Sequence, residues 1–195
     1  LFSVVESYSR EFSMAPEDNK DAFKRYFRRL NSLLPREETV AYLSESGVKE
    51  FEVSFERVAE KVRLLWKGRP LSAKFHRDDD LKGDKIFVIS QDLKLYCHGD
   101  KMPRESACFH HSSFLSGADV LFAGQLETDE DGFLTGISNE SGHYEPNSRA
   151  AAFALEYFQS KGANLSNIFY ESVVKGQSGE PRRYNAQAFI ESVEK

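Results

Sequence analysis

The sequence contains few of the residues that crosslink a protein or anchor it in a membrane. Cys97 and Cys108 are its only cysteines, and they form neither a CxxC pair nor part of a larger set. Neither a disulfide framework nor a zinc site is therefore predicted, and we expect a reducing compartment such as the cytoplasm. No segment approaches the roughly 18 consecutive apolar residues that span a bilayer, so no membrane contact is expected.

Positive charge is also scarce, since 26 Lys and Arg residues face 31 Asp and Glu residues, a net charge of −5. A chain of this balance lacks the electrostatic footprint of a nucleic-acid-binding protein, so we expect no nucleic-acid partner. The chain starts at Leu1 and has no basic segment followed by an apolar one, which argues against a signal peptide. We interpret it as a piece excised from a longer protein.

Apolar residues are plentiful enough for a real core, with 40% hydrophobic and 13% aromatic residues in 195. The first quarter is predicted to be helical. Apolar residues recur at helical spacing between Asp18 and Leu34, and a shorter helix is predicted from Glu37 to Ser46, ending at Gly47. Residues 1–48 are thus a mainly helical lead-in to a sheet-containing core over 50–195, the whole being one domain.

The core is predicted to alternate strands and polar turns before two final helices. Residues 50–66 fit either a helix or strands. Predicted strands cover 86–89, 93–97, 120–126, 133–137 and 168–174, with turns at 90–92 and 129–132; a helix capped by Asn147 or Ser148 ends at Lys161-Gly162, and the last helix runs from Asn185 to Val193. This layout predicts an α+β fold, a largely antiparallel sheet flanked by N-terminal and C-terminal helices.

A basic and aromatic stretch between residues 61 and 75 has two interpretations. Its cations alternate with apolar residues, as in a β-hairpin that turns at Lys67-Gly68 and leaves the cations solvated. The same pattern suits a surface that docks an acidic partner such as calmodulin.

Two polar segments interrupt the apolar pattern and supply the candidate site. The first, residues 110–114, contains His111, Ser112 and Ser113, and the second, residues 141–146, contains Gly142, His143 and Tyr144. The second lies just ahead of the helix that Asn147 or Ser148 caps, where free backbone N–H groups favour an anion.

We therefore assign roles for a phosphorylated ligand. Catalysis would use His111, Ser113, His143 and Tyr144: His143 as acid or base, Tyr144 as hydrogen-bond donor and a serine as nucleophile or positioning group. Ligand binding would use Ser112, Gly142, Asn147 and Ser148, with no metal. The alternative is that these side chains only satisfy neighbouring backbone groups.

These segments resemble a known family. The residues that carry the resemblance are Lys85–Ser90, Leu95-Tyr96, Phe109–Gly117, Ala123-Gly124, Ser141–Tyr144 with Pro146, and Gly162–Ile168. In their order and approximate spacing they resemble the plant IQ-motif-containing calmodulin-binding (IQM) proteins and related bacterial effector domains. The likeness covers about residues 40–175, and its Phe51-Glu52-Val53 segment favours a strand for residues 50–55.

The resemblance implies a signalling protein with calmodulin as a partner, and brings no settled reaction with it. The chain has no Ile-Gln-x-x-x-Arg-Gly segment, so calmodulin binding through such a motif does not transfer. Our leading hypothesis is an effector-like or signalling domain with a nucleotide site, for ATP or NAD, that transfers AMP or ADP-ribose to a protein substrate. The alternatives are a noncatalytic module that binds calmodulin or another protein, and an effector delivered into a host cell and active only with a host protein.

Overall fold

The computed structural model describes residues 40–72, 85–98, 109–174 and 181–193. Contacts group the chain into two compact units, residues 1–41 with 105–109 and residues 42–104 with 110–195. Every helix and strand named below belongs to the second unit. The helix predicted for Asp18–Leu34 lies outside the described residues, and the single-domain interpretation stays a prediction.

Thirteen α-helices and β-strands are described in this unit, and two short 3-10 turns, Lys49–Phe51 and Leu165–Asn167, accompany them. In chain order they are α1 (Glu45–Val48), β1 (Glu52–Val58), β2 (Lys61–Trp66), β3 (Arg69–Pro70), β4 (Ile86–Ile89), β5 (Leu95–Cys97), α2 (His111–Phe114), β6 (Phe122–Thr128), β7 (Leu134–Ser138), α3 (Ser148–Ser160), β8 (Phe169–Ser172), β9 (Arg182–Asn185) and α4 (Ala186–Val193). Among these residues no helix is both long and apolar enough to cross a membrane.

The nine described strands form one sheet in the order β3-β2-β1-β5-β4-β6-β7-β8-β9. Neighbouring strands are antiparallel except for β7 and β8, which are parallel. A parallel pair needs a long connection, and α3 lies within the one that joins these two strands. The predicted α+β class and largely antiparallel sheet are confirmed.

Most of the predicted strands and turns are confirmed within a few residues. The hairpin β2–β3 turns at Lys67-Gly68, where both residues have positive φ angles of 50° and 74°, as a tight hairpin turn requires. Residues 50–55 contain the start of β1, as the family resemblance favours, and not a long helix.

One predicted helix differs clearly from the observed one. Of the helix predicted for Glu37–Ser46, residues 37–39 lie outside the described part, while α1 starts only at Glu45 and contains Gly47 instead of ending before it. Residues 41–44 lie outside any helix, and the backbone N–H of Leu43 donates to the carbonyl of Ser113, 2.9 Å away. Ser44 then caps the helix by accepting from the Gly47 N–H.

At the other end, the final helix begins at Ala186, and the strand β9 before it was not predicted. Asn185 accepts from the N–H of Ala188 and acts as the helix cap. Strand β9 has four exposed residues, so it has no apolar alternation to reveal it, and it exists because β8 lies beside it.

The sheet curls until β2 meets the turn that joins β6 to β7. Arg63 and Phe133 form an antiparallel bridge, and the Leu64 N–H donates to the carbonyl of Gly132 at 2.8 Å. Gly132 has φ = 81° and sits against Pro70 and Leu71. This contact closes the concave face of the sheet around the core.

Helix α3 fills that concave face with small and aromatic side chains. Ala151, Ala154 and Leu155 are fully buried, and the ring of Phe158 lies 5.9 Å from that of Phe87 and 6.2 Å from that of Phe55. Burying a side chain the size of Phe contributes about 2 kcal/mol or more. The helix therefore stabilises the curled sheet from inside.

The closing contact predicts that Gly132→Ala is more damaging than Gly68→Ala. Both glycines have positive φ, so both substitutions carry the left-handed backbone cost of roughly 1 kcal/mol. A Cβ on Gly132 would lie 2.9 Å from the Pro70 Cβ and 3.1 Å from Leu64 O, whereas one on Gly68 meets nothing within 4 Å. We expect Gly132→Ala to lower the free energy of unfolding by about 2 kcal/mol more, measured by urea denaturation. Equal losses would contradict the closure.

Candidate functional site

The first polar segment, residues 110–114, contains the short helix α2 (His111–Phe114). Helix α2 begins after His110, because the Ser113 hydroxyl accepts from the His110 N–H at 2.9 Å. It ends before Gly117, whose φ is 78°. Serine at the start and glycine after the end are residues that favour helix ends.

The four residues of α2 are buried, and the side chains of His111 and Ser113 form hydrogen bonds within the protein. His111 is 9% exposed, and its Nε2 donates to the carbonyl of Gly124 on β6 at 2.9 Å, which fixes the ring on that strand. Ser112 is buried, and Ser113 is fully buried with its hydroxyl committed to the helix start. In this arrangement the Ser113 hydroxyl has no solvent access from which to attack a substrate.

The second polar segment forms the loop between β7 and α3. The Ser141 hydroxyl accepts from the N–H of Tyr144 at 3.3 Å, and the Ser141 carbonyl accepts from the N–H of Glu145. Glu145 has φ = 43°, an uncommon conformation for a residue with a side chain. The loop is thus a tight turn with its own backbone bonds.

Tyr144 joins this loop to the segment that follows α2. Its hydroxyl donates to the carbonyl of Ala118 at 2.8 Å, so one hydrogen bond links the loop before α3 to the chain that follows the first polar segment. Burial, helped by the charge of Asp119, raises the pKa of Tyr144 to about 12. The phenol is therefore a neutral donor over the physiological range and not a base.

His143 is the exposed member of the set. Its ring lies edge-on against that of Tyr144, with 5.2 Å between ring centroids. Gly142 is also exposed, and a Cβ there would meet nothing within 4 Å. His143 and Gly142 thus lie at the solvent side of the loop, whereas His111 and Ser113 lie inside.

The helix start that was proposed to hold an anion is capped by the chain itself. Asn147 is the cap, and its side-chain oxygen accepts from the Ala150 N–H at 3.0 Å, while Ser148 is the exposed first residue of α3. The structure thus decides between the two predicted caps. The assignment of Asn147 and Ser148 to ligand binding stays a prediction.

Asn139 holds this region together and was missed in the sequence. Its side-chain amide donates to the carbonyls of Pro146 and Val173, and its oxygen accepts from the Val173 N–H at 2.7 Å. It therefore ties the loop before α3 to the end of β8. A single asparagine after a strand gives too weak a signal to predict this.

The bond between Tyr144 and Ala118 predicts a specific loss in Tyr144→Phe. Removing the hydroxyl leaves the Ala118 carbonyl without this donor, and we expect a loss of about 1 to 2 kcal/mol in the free energy of unfolding. Tyr184→Phe is the matched control, because within the described residues the Tyr184 hydroxyl makes no hydrogen bond. Equal stability losses in chemical denaturation would show that the link contributes nothing.

The same pair of variants has a pH signature. The folded pKa of Tyr144 lies at about 12, above the ordinary value of 10.0, so its contribution is fully present below pH 10 and is lost as the pH rises through 12. The stability difference between the wild type and Tyr144→Phe should therefore shrink between about pH 10 and 12, as measured by urea denaturation at each pH. A constant difference across that range would contradict the burial of the phenol.

The family comparison covers both polar segments. Residues 52–151 match the model of the IQ motif-containing protein middle domain, from β1 into the start of α3. Similar proteins from Arabidopsis thaliana include the IQ domain-containing proteins IQM3 and IQM2. The chain is 34% identical to IQM3 over 135 residues, 68% of this chain and 27% of that protein, and 26% identical to IQM2 over 166 residues, 80% of this chain and 26% of that protein.

The match to IQM5 is shorter, with 36% identity over 83 residues, 43% of this chain and 16% of that protein. The chain spans about a quarter of the length of IQM3 and IQM2. The comparison with solved structures finds no significant match. Because the middle-domain model covers half of the chain, including both histidine-containing segments, the chain belongs to the IQM family.

Proposed function

We propose that this chain is a noncatalytic protein-binding module whose partner is calmodulin or a similarly acidic protein. One observation supports the proposal: three of the four candidate catalytic residues form side-chain hydrogen bonds to backbone groups of the protein itself. His111 bonds to Gly124, Ser113 to His110, and Tyr144 to Ala118. Side chains with such structural bonds favour a rigid scaffold over a reaction centre, and the family relationship favours calmodulin as the partner.

The docking surface that we propose is the outer side of the hairpin β2–β3, which is the described part of the basic stretch noted in the sequence. Three of its cations, Lys61, Arg63 and Lys67, lie over aromatic rings. Arg63 Cζ lies 4.5 Å and Lys61 Nζ lies 5.3 Å from the ring centroid of Phe133. Lys67 Nζ lies 5.1 Å from the ring centroid of Trp66. Lys74 and Phe75, which complete the stretch, lie outside the described residues.

Two of these cations are paired with carboxylates at the surface. Arg63 contacts Glu56 at 2.9 Å, and Lys67 contacts Glu50 at 2.6 Å. Exposed pairs contribute little, typically less than about 1 kcal/mol, so a denser acidic surface can displace Glu56 and Glu50 at small cost. Partly shielded cations also restrict binding to partners with strong negative charge.

Charge reversal on this hairpin tests the proposal. We expect Arg63→Glu and Lys67→Glu each to weaken the binding of calcium-loaded calmodulin at least tenfold in isothermal titration calorimetry, because each replaces an attraction by a repulsion. Arg149→Glu, an exposed cation at the start of α3, is the control with the same change in net charge. If all three variants bind as the wild type does, or all weaken equally, this surface is not the docking site.

Transfer of AMP or ADP-ribose is the second hypothesis, and the exposure of His143 next to the start of α3 is the observation that favours it. It predicts that ATP or NAD raises the melting temperature of the domain and that His143→Ala removes this shift. Ser113→Ala is a poor probe, since it breaks the start of α2. Gly142→Ala is the matched control for folding, because its new methyl group enters open space. An absence of any shift with either nucleotide would eliminate the hypothesis.

A further inference from the structure

The two edge strands of the sheet, β3 and β9, differ in how well a further strand could form hydrogen bonds to them. At one edge, β3 is only two residues long and ends with Pro70, which has no N–H to donate. At the other edge, β9 has four residues, Arg182–Asn185, all exposed and none of them proline. Among the described strands β9 pairs with β8 alone and forms the last strand of the sheet order, so no described strand pairs with its other side.

The register defines which peptide groups face that open side. The Ala186 N–H donates to the carbonyl of Ile168 at 2.9 Å, which makes this position hydrogen-bonded. Bonded and non-bonded positions alternate along an antiparallel pair. Arg183, opposite Glu171, is therefore at a non-bonded position and directs its own N–H and C=O away from β8.

The side chains along β9 add positive charge to this edge. Arg183 stacks 3.8 Å from the centroid of Phe169 and contacts Glu171 at 3.2 Å, so it is held in place. Arg182 has no acidic partner among the described residues, and Tyr184 is 37% exposed while stacked on Tyr170. Among the described residues, the edge thus combines outward-facing backbone groups, the Arg182 cation and the aromatic surface of Tyr184.

Charge decides which strand can pair with this edge. A second copy of β9 would place its own Arg182 and Arg183 next to these two, and the repulsion opposes self-association. An extended segment rich in Asp and Glu meets complementary charge instead. We propose that β9 binds an extended acidic peptide of a partner protein, which adds to the sheet as a further strand.

This binding edge lies at the opposite end of the sheet order from β2 and β3, so it is separate from the surface in the proposed function. The probe is a fluorescein-labelled eight-residue peptide of alternating Val and Glu, with a Val and Lys peptide as the control. We expect the acidic peptide to bind and to shift the backbone amide NMR signal of Arg183 most strongly, and we expect no binding of the basic peptide.

Two substitutions at one position separate the backbone from the side chain. Arg183→Pro removes the outward N–H without removing a bond to β8, whereas Arg183→Ala removes only the side chain. We expect at least a tenfold loss of affinity in Arg183→Pro beyond the loss in Arg183→Ala, by fluorescence anisotropy. Arg182→Glu should also weaken binding. Melting temperatures of all variants test whether they fold. If Arg183→Pro does not fold, the shift of the Arg183 amide signal in the wild type still tests the proposal.

The outcomes distinguish this inference from the proposed function. Binding that survives in Arg63→Glu and Lys67→Glu but fails in Arg183→Pro supports the β9 edge. Binding that is lost in the first two variants and unchanged in Arg183→Pro overturns it and leaves the hairpin surface as the docking site. No binding of the acidic peptide at millimolar concentration, or equal binding of the basic one, overturns it as well.

Discussion

The hydrogen bond from the Leu64 N–H to the carbonyl of Gly132 is the contact on which the rest of this unit depends. It joins β2 to the turn between β6 and β7, although these elements are separated in the sheet order by β1, β5 and β4. Once the sheet is closed there, its concave face can hold α3, and the rings of Phe87 and Phe158 meet inside. Only glycine fits at position 132, because it combines a positive φ with backbone neighbours on the Cβ side.

The polar residues around α2 and in the loop before α3 provide hydrogen bonds that the closed sheet requires. A curled sheet with a helix inside leaves loop peptide groups at the ends of the strands, and buried peptide groups need hydrogen-bond partners. His111 supplies one to Gly124, Tyr144 one to Ala118, and Asn139 bonds on both sides of the gap between Pro146 and Val173. A run of His, Ser and Tyr has the same appearance in a sequence whether it serves a reaction or a scaffold, because both uses require hydrogen-bonding side chains.

The outside of the sheet carries the charge pattern. Around β1 and β2 cations lie over Phe133 and Trp66 beside surface carboxylates, and at β9 two arginines lie on the last of the described strands in the sheet order. Both places offer positive charge on a chain whose net charge is −5, so an acidic partner would be attracted locally and not by the molecule as a whole. This local character fits recognition of a particular acidic protein better than general binding to polyanions.

Local chemistry in the sequence determined the elements whose signals lie within a few residues: the Lys67-Gly68 hairpin, a helix start at Asn147 or Ser148, the buried strand Ile86–Ile89 and the α+β class. Tertiary structure alone decided the rest. The neighbouring β8 made a strand of the wholly exposed β9, and the burial of Ser113 and exposure of His143 separated two residues predicted to act together. The physical reason is the range of the forces involved: turn and cap preferences act along the chain, whereas burial, pairing and closure depend on which distant segments meet.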